Sequence, residues 1–158
     1  MPTTPVEADV TYMREALAEA AAAASLGEVP IGAVVVRDGR VIARGQNRRE
    51  RERDPTAHAE MIAFREAARH LGGWRLAGCI LYVTLEPCAM CAGAAIQARL
   101  PRLVFGAADP KGGAVGSVVD LLHDTRLSHQ VEVLAGVCAG ECGELLRQFF
   151  ATLRSRGG

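Results

Sequence analysis

Apolar residues recur at helical spacing in the first part of the chain. From residue 9 to residue 26 they follow one another three or four positions apart, which predicts a helix capped by Asp9 and stopped by Gly27. The predicted apolar face contains Met13, Ala16, Leu17, Ala20, Ala21 and Ala24. We interpret this face as core packing.

The pattern then changes from helical to strand spacing. Residues 31–36 are a continuous apolar run bounded by turn residues, which predicts a buried strand. Asp38-Gly39 is a two-residue hairpin signal. Residues 40–46 alternate, with Val41 and Ala43 on one face, so they are predicted to pair antiparallel with the first strand.

The rest of the chain alternates between helical and strand patterns. Further helices are predicted at 57–71, 88–98, 117–123 and 139–154, and further strands at 79–84, 103–106 and 131–134. The last helix has an apolar stripe of Cys142, Leu145, Leu146, Phe149 and Leu153. This order predicts an α/β fold with a mixed five-stranded sheet between helices. The length of 158 residues suggests one domain over residues 1–158.

Composition and charge narrow the class of protein. No run of about eighteen apolar residues is present, so no membrane span is expected. Residues 1–9 include acidic side chains and no apolar segment, which is unlike a signal peptide, and an odd number of cysteines, 5, argues against a disulfide framework. These features indicate a cytoplasmic protein. The 18 basic and 18 acidic residues neither require nor exclude a nucleic-acid partner.

Two short motifs carry the candidate chemistry. His58-Ala59-Glu60 opens one predicted helix, and Pro87-Cys88-Ala89-Met90-Cys91 opens the next. One histidine and two cysteines can bind zinc and leave a fourth tetrahedral position for water, while Glu60 is placed to move that water's protons. The positive ends of both helices favour thiolate over thiol. The joint pattern H-x-E…P-C-x-x-C is the signature of zinc-dependent nucleobase deaminases.

Other interpretations of these residues remain open. A C-x-x-C pair also occurs in redox proteins, although here an H-x-E motif precedes it. Cys138 and Cys142 are four residues apart and are candidates for a second metal site, but no local histidine completes the set. His123 and His129 flank a loop and are either surface residues or substrate contacts. The arginine-rich loop from residue 48 to residue 54 also contains acidic residues, which favours a solvated loop over a phosphate-binding patch.

Longer segments bring a resemblance to a known family. The chain resembles the bacterial tRNA-specific adenosine deaminases, of the cytidine deaminase-like superfamily, in four segments and in a further stretch from Gly113 to Phe150. The four segments are Glu28-Val29-Pro30-Ile31-Gly32-Ala33-Val34, Asp54-Pro55-Thr56-Ala57-His58-Ala59-Glu60-Met61, residues 81–94 around the cysteine motif, and Leu103-Val104-Phe105-Gly106-Ala107-Ala108-Asp109-Pro110-Lys111.

The resemblance implies a fold, a reaction and a set of site residues. It implies a three-layer α/β/α sandwich that forms a homodimer, with one Zn²⁺ per subunit, and hydrolysis of the wobble adenosine of a tRNA anticodon stem-loop to inosine. His58, Cys88 and Cys91 would hold the zinc, and Glu60 would be the catalytic acid and base. The implied substrate-binding residues are Val29, Pro30, Asn47, Ala59, Asp109, Lys111 and Phe149.

Two features of the chain qualify this resemblance. Family members often have an arginine directly after the paired phenylalanines, where this chain has Ala151, and the tail is short. Deamination of a free base or nucleoside, such as guanine or cytosine, is therefore an alternative, and a non-catalytic zinc-stabilised RNA-binding module is another. Independently of the resemblance, the predicted helix at 88–98 carries no charge, which suggests that one of its faces meets a second subunit.

Overall fold

The computed structural model describes residues 6–157, so the prediction made for residues 1–9 lies mostly outside the described residues. The elements are α1 (Glu7–Ser25), β1 (Gly32–Arg37), β2 (Arg40–Gln46), α2 (Arg49–Glu52), α3 (Ala59–Leu71), β3 (Cys79–Leu85), α4 (Ala89–Gln97), β4 (Arg102–Ala107), β5 (Glu132–Ala135) and α5 (Ala139–Gly157). In this range no helix is long and apolar enough to cross a membrane.

The strands form one mixed sheet in the order β2-β1-β3-β4-β5. Strand β1 pairs antiparallel with both β2 and β3, while β3, β4 and β5 run parallel. Helices cover both faces, which confirms the predicted α/β fold with a mixed five-stranded sheet. The three layers are α3 and α4, the sheet, and α1 with α5.

Strand alternation divides the core into two clusters. Val35, Leu81 and Leu103 point towards α3 and α4, and their neighbours Val34 and Val104 point towards α1 and α5. All five side chains are fully buried. Because the central strands are buried on both faces, their sequences are continuous apolar runs rather than alternating ones.

The predicted cap of the first helix is wrong. Helix α1 begins at Glu7, and Asp9 lies in its first turn, where its carboxylate accepts a hydrogen bond from the Val6 N–H at 3.1 Å. Asp9 is only 1% exposed because Arg102 and Tyr82 on the sheet bind the same carboxylate. The predicted stop is confirmed, since Gly27 adopts a φ of +81° just beyond the helix end. On the predicted apolar face, Ala21 is exposed.

The first hairpin forms as predicted, but Val41 and Ala43, which were predicted to share one face of the sheet, lie on opposite faces. A register shift between Val35 and Val36 pairs Val35 with Ala43 and Val36 with Val41. One extra residue in β2 therefore reverses the alternation. As a result Ala43 packs in the cluster under α3, and Val41 packs in the cluster under α1.

Two connecting segments differ from their predictions. The loop after β2 contains a single helical turn, α2, because the buried carboxylate of Glu28 accepts the N–H groups of Glu50 and Arg51 at 3.1 and 2.9 Å. Residues 117–123 form turns and no helix, although His123 is exposed as predicted. The Ser117 N–H binds a side chain rather than a helical carbonyl.

The C-terminal helix forms, but most of its predicted apolar stripe is not core. Along α5 only Cys142 is buried, and Leu153 is 54% exposed. With 19 residues, α5 is longer than the strands on which it packs. Its later turns therefore bury little of the stripe.

Candidate metal centre and active-site cavity

The sheet topology brings several loops to one edge. Because β1 is antiparallel to both neighbours, it begins where β2 and β3 end, and the parallel strand β4 ends there too. The loops at this edge surround a cavity of about 480 Å³. Cavities of this size are typical of small-molecule sites, and ligands of α/β sheets bind beyond the carboxyl ends of strands. The lining residues are Val29, Ile31, Asn47, Arg49, His58, Ala59, Glu60, Leu85, Glu86, Cys88, Ala108, Asp109, Pro110, Lys111, Leu146 and Phe150.

Three side chains that could hold a metal ion meet at this cavity, which His58 and Cys88 line. His58 is the residue before α3 and Cys88 the residue before α4; both have extended backbones, and neither side chain caps its own helix. The His58 Nδ1 atom lies 3.6 Å from the Sγ atom of Cys88 and 3.6 Å from that of Cys91. Among residues 6–157, this is the one group of histidine, cysteine and acidic side chains close enough to hold a metal ion.

The donor set fits zinc. Tetrahedral coordination with Zn–S near 2.3 Å and Zn–N near 2.0–2.1 Å separates nitrogen and sulfur by about 3.6 Å. Both measured Nδ1–Sγ distances have this value. Cys138 and Cys142, the alternative metal pair, belong to no such group in the described part of the chain.

Hydrogen bonds couple the protonation of the three side chains. Hydrogen bonds from Cys91 and then from His58 lower the pKa of the Cys88 thiol to about 3. The bond to Cys88 raises the pKa of Cys91, and the bond to Cys88 also raises the pKa of His58. Cys88 is thus a thiolate at neutral pH, and a metal ion bound by all three side chains would displace the protons of Cys91 and His58.

Glu60 lies in the first turn of α3, beside the three ligands but outside their group. It is 4% exposed, and burial raises the pKa of its carboxyl group. A buried carboxyl with a raised pKa at the wall of a cavity is suited to general acid–base chemistry.

Most of the substrate-binding residues implied by the resemblance line the cavity: Val29, Asn47, Ala59, Asp109 and Lys111. Asn47 is held in place on both sides. Its Nδ2 donates to the Val29 carbonyl at 3.2 Å, and its Oδ1 accepts the Arg49 N–H at 3.1 Å. The amide is therefore oriented before any substrate binds.

Two of the implied residues do not line the cavity. Pro30 is buried, and Phe149 lies in another groove, between α1 and α5. Phe150 lines the cavity instead and packs edge-on against Phe149 at 5.5 Å. His123 pairs with Asp120 outside the cavity.

Eight further lining residues were not assigned to the site from the sequence: Ile31, Arg49, Leu85, Glu86, Ala108, Pro110, Leu146 and Phe150. Glu86 had a usable signal, because it is a carboxylate between an apolar strand and the cysteine motif. It is 3% exposed. Burial opposes its ionisation, but hydrogen bonds from Ser117, Asp109 and Val115 outweigh burial and hold the pKa of Glu86 below its ordinary value.

Comparison with known proteins is consistent with this site. A family profile for MafB19-like deaminases matches residues 7–154. A tRNA-specific adenosine deaminase from Bacillus subtilis (strain 168) is 53% identical over 148 residues, which cover 94% of this chain and 92% of that protein. A tRNA-specific adenosine deaminase from Haemophilus influenzae is 49% identical over 149 residues, which cover 94% of this chain and 86% of that protein.

A solved structure of a tRNA:A34 deaminase, described for A-to-I editing at the wobble position of transfer RNA, superimposes with a TM-score of 0.83 at 51% identity. It covers 86% of this chain and 99% of that one. Guanine deaminase from Bacillus subtilis superimposes with a TM-score of 0.60 at 43% identity, over 62% of this chain and 63% of that one. The fold, the site and these relatives agree, and the chain belongs to the family of tRNA-specific adenosine deaminases, which has a cytidine deaminase-like fold.

Proposed function

We propose that the protein hydrolyses adenosine to inosine at the wobble position of a tRNA anticodon loop. The observation that carries this proposal is the buried carboxyl of Glu60 beside the His58, Cys88 and Cys91 group, inside a cavity that opens to solvent. The choice of tRNA as the substrate rests on the family, because relatives named tRNA-specific adenosine deaminase match over nearly the whole chain.

His58, Cys88 and Cys91 would hold one zinc ion per subunit. Zinc bound there supplies a hydroxide nucleophile at neutral pH by lowering the pKa of a bound water. Glu60 accepts a proton from the attacking water and delivers it to the ring nitrogen beside the C6 atom of adenine. The same carboxyl then assists the departure of ammonia, so that no proton has to be taken from bulk solvent.

The remaining side chains at the cavity bind and orient the nucleotide. Val29 and Ala59 supply an apolar wall, and the fixed amide of Asn47 is available to hydrogen-bond the base or its ribose. Asp109 and Lys111 lie at the cavity on the opposite loop, where they would contact the flanking nucleotides. Pro30 supports the wall from behind Val29, and Phe149 would contribute through its edge contact with Phe150.

The chief alternative is deamination of a free base, since a guanine deaminase is 43% identical over the matched region. The match to that enzyme covers only 62% of this chain, against 86% for the tRNA:A34 deaminase. The test is to incubate the purified protein with an anticodon stem-loop and, separately, with adenine, guanine and cytosine, and to measure ammonia. Ammonia from the stem-loop supports the proposal, whereas ammonia from free bases alone overturns it.

A non-catalytic RNA-binding module is a second alternative, and it is distinguished by Glu60. Such a module would bind the stem-loop equally well with or without this carboxyl and would release no ammonia. A buried carboxyl whose pKa is raised is costly to maintain in a purely structural site, which favours an enzyme.

The proposal also includes a homodimer. It places the protein in the cytoplasm, where its tRNA substrate is found. The outward side of α4 carries no charged residue and adjoins the exposed side chain of Trp74. Contiguous apolar surface of this kind is typical of protein interfaces.

A further inference from the structure

The loop that follows β4 has little regular structure of its own, yet it carries residues that line the cavity. We call residues 108–117 the β4 loop; Ala108, Asp109, Pro110 and Lys111 are its cavity-lining residues. A loop without helix or strand must pair its backbone groups elsewhere or leave them to water.

The β4 loop pairs three of its backbone N–H groups with the buried carboxylate of Glu86. Oε1 of Glu86 accepts the Asp109 N–H at 3.0 Å, and Oε2 accepts the Val115 N–H at 3.0 Å and the Ser117 N–H at 3.1 Å. The Ser117 hydroxyl donates to Oε1 as well. Charge-assisted bonds of this kind are about twice as strong as neutral ones, so a single side chain holds both ends of the loop.

The loop backbone also packs closely against the Glu86 carboxyl group. A Cβ atom built at Gly113 would overlap the Glu86 carboxyl group, so the loop backbone passes directly over it. Next to this contact, the Ala114 N–H donates to the Pro87 carbonyl at 2.8 Å, which joins the loop to the residue before Cys88.

We propose that Glu86 is a positioning residue that fixes the β4 loop, and with it Asp109 and Lys111, in the geometry that binds the RNA substrate. This inference rests on the proposed function for its consequence in catalysis, but not for the anchoring itself. Glu86 lies at the cavity wall beside the cysteine motif, so it ties the substrate-binding loop to the loop that carries Cys88.

The test compares Glu86→Gln with Glu144→Gln. Glu144 is an exposed side chain on α5 whose partners, Arg147 and Gln148, lie on the same helix. Glu86→Gln replaces one acceptor oxygen by an NH₂ group and removes the negative charge that strengthens the bonds to the other oxygen, so we expect hydrogen exchange at the Asp109, Val115 and Ser117 amides to accelerate about tenfold or more. The amides of β4, which are paired with β3 and β5, should keep their protection.

The same variant should raise KM for the stem-loop about tenfold while kcat and the zinc content per chain change little, because the loop binds the substrate and does not touch the metal ligands. Glu144→Gln should match the wild type. Ser117→Ala, which removes one donor of four, is the milder variant if Glu86→Gln folds poorly, and it should raise KM about threefold.

Unchanged exchange at all three amides would overturn the anchoring, whatever happens to activity. A fall in kcat at constant KM would also overturn the proposal, because it would place Glu86 in the chemistry. If the wild-type protein fails to deaminate the stem-loop, the proposed function is wrong, and the exchange data alone decide the role of Glu86.

Discussion

At the scale of single residues, the site depends on side chains placed at the starts of two helices. His58 and Cys88 precede α3 and α4 with extended backbones, so their side chains leave the helix axes and meet in front of them. Glu60 comes two residues after His58, inside the first turn, and is buried against the same centre. One short stretch of chain therefore contains both a proposed metal ligand and the proposed proton carrier.

This arrangement predicts that Glu60 and the cysteines fail in different ways. Glu60→Ala should keep about one zinc ion per chain and lose turnover by at least the 10²–10⁴-fold that is typical of general acid–base catalysis. Cys88→Ala should lose the metal itself, because two protein ligands remain. Elemental analysis and stem-loop deamination measure the two effects.

Glu66→Ala is the matched control for the first variant, since Glu66 is an exposed side chain on the same helix that pairs with Arg69. It should retain both zinc and turnover. Near-wild-type turnover in Glu60→Ala would contradict the assigned role.

At the scale of elements, the local sequence pattern was sufficient to predict those helices, strands and turns that are determined by interactions between nearby residues. The five strands, the hairpin turn and the helices that begin beside His58 and Cys88 follow from periodicity, turn residues and breakers. The H-x-E and C-x-x-C motifs predicted that His58, Cys88 and Cys91 lie together. In the structure the Nδ1 atom of His58 is 3.6 Å from the Sγ atom of each cysteine.

What could not be predicted depends on distant partners. The bulge that separates Val41 from Ala43 is set by pairing with β1. Residues 117–123 form turns because the Ser117 N–H binds Glu86 and the following N–H groups bind the Gly113 and Ala114 carbonyls of the preceding loop. Whether Phe149 or Phe150 faces the cavity depends on the rotation of α5 against the sheet, and adjacent helical residues differ by about 100°.

Helix α3 packs on β2 so closely that Gly45 determines where His58 and Glu60 lie. A Cβ at Gly45 would overlap the Ala59 carbonyl in the first turn of α3. Gly45→Ala should therefore lower the free energy of unfolding by about 1–3 kcal/mol, as overpacking does, and weaken zinc affinity. Denaturant unfolding and zinc titration measure these effects.

Two controls separate stability from site geometry. In Gly32→Ala the added Cβ atom would overlap the backbone of Ala16 and Ala20 in α1. This variant should therefore lose comparable stability with little change in zinc affinity. Gly73→Ala meets nothing within 4 Å and should be neutral. Equal zinc affinities in Gly45→Ala and the wild type would contradict the coupling.

At the scale of the whole molecule, one buried ion pair joins the first helix to the centre of the sheet. The Arg102 guanidinium donates to Asp9 Oδ1 at 3.0 Å, and the Tyr82 hydroxyl donates to the same oxygen at 2.7 Å. Burial opposes the ionisation of Asp9, but the bonds from Arg102 and Tyr82 outweigh burial and hold its pKa below the ordinary value.

Asp9→Ala should lower the free energy of unfolding at pH 7 by about 1–3 kcal/mol, because Arg102, which is largely buried, keeps only the more distant Glu132 carboxylate at 3.6 Å. Since the folded pKa is lowered, the contribution of Asp9 is complete above the unfolded pKa of about 3.9 and is lost as pH falls through the folded pKa. The difference between variant and wild type should therefore shrink in strong acid. Glu7→Ala, an exposed change on the same turn, is the control, and a constant difference down to pH 2 would contradict the assignment.

The apolar outer face of α4 leads to the last prediction, which concerns assembly. Its inward residues, Cys91, Ala92, Ala95 and Ile96, fill the core. Its outward residue Ala94 and the following Ala98 form a shallow, mainly apolar groove with Phe64 and Trp74, which Arg65 also lines, and Trp74 is 55% exposed. An uncharged helix with one face already buried needs a partner for the other.

We expect sedimentation at micromolar concentration to give twice the chain mass of 16.7 kDa. Ala94→Arg places a charge in the middle of the groove and should give the monomer, because an unpaired charge is costly to bury at an interface. Ala151→Arg makes the same change at an exposed position on α5 and should leave the dimer intact. A wild-type monomer, or a dimer that survives Ala94→Arg, would show that this groove is not the contact between subunits.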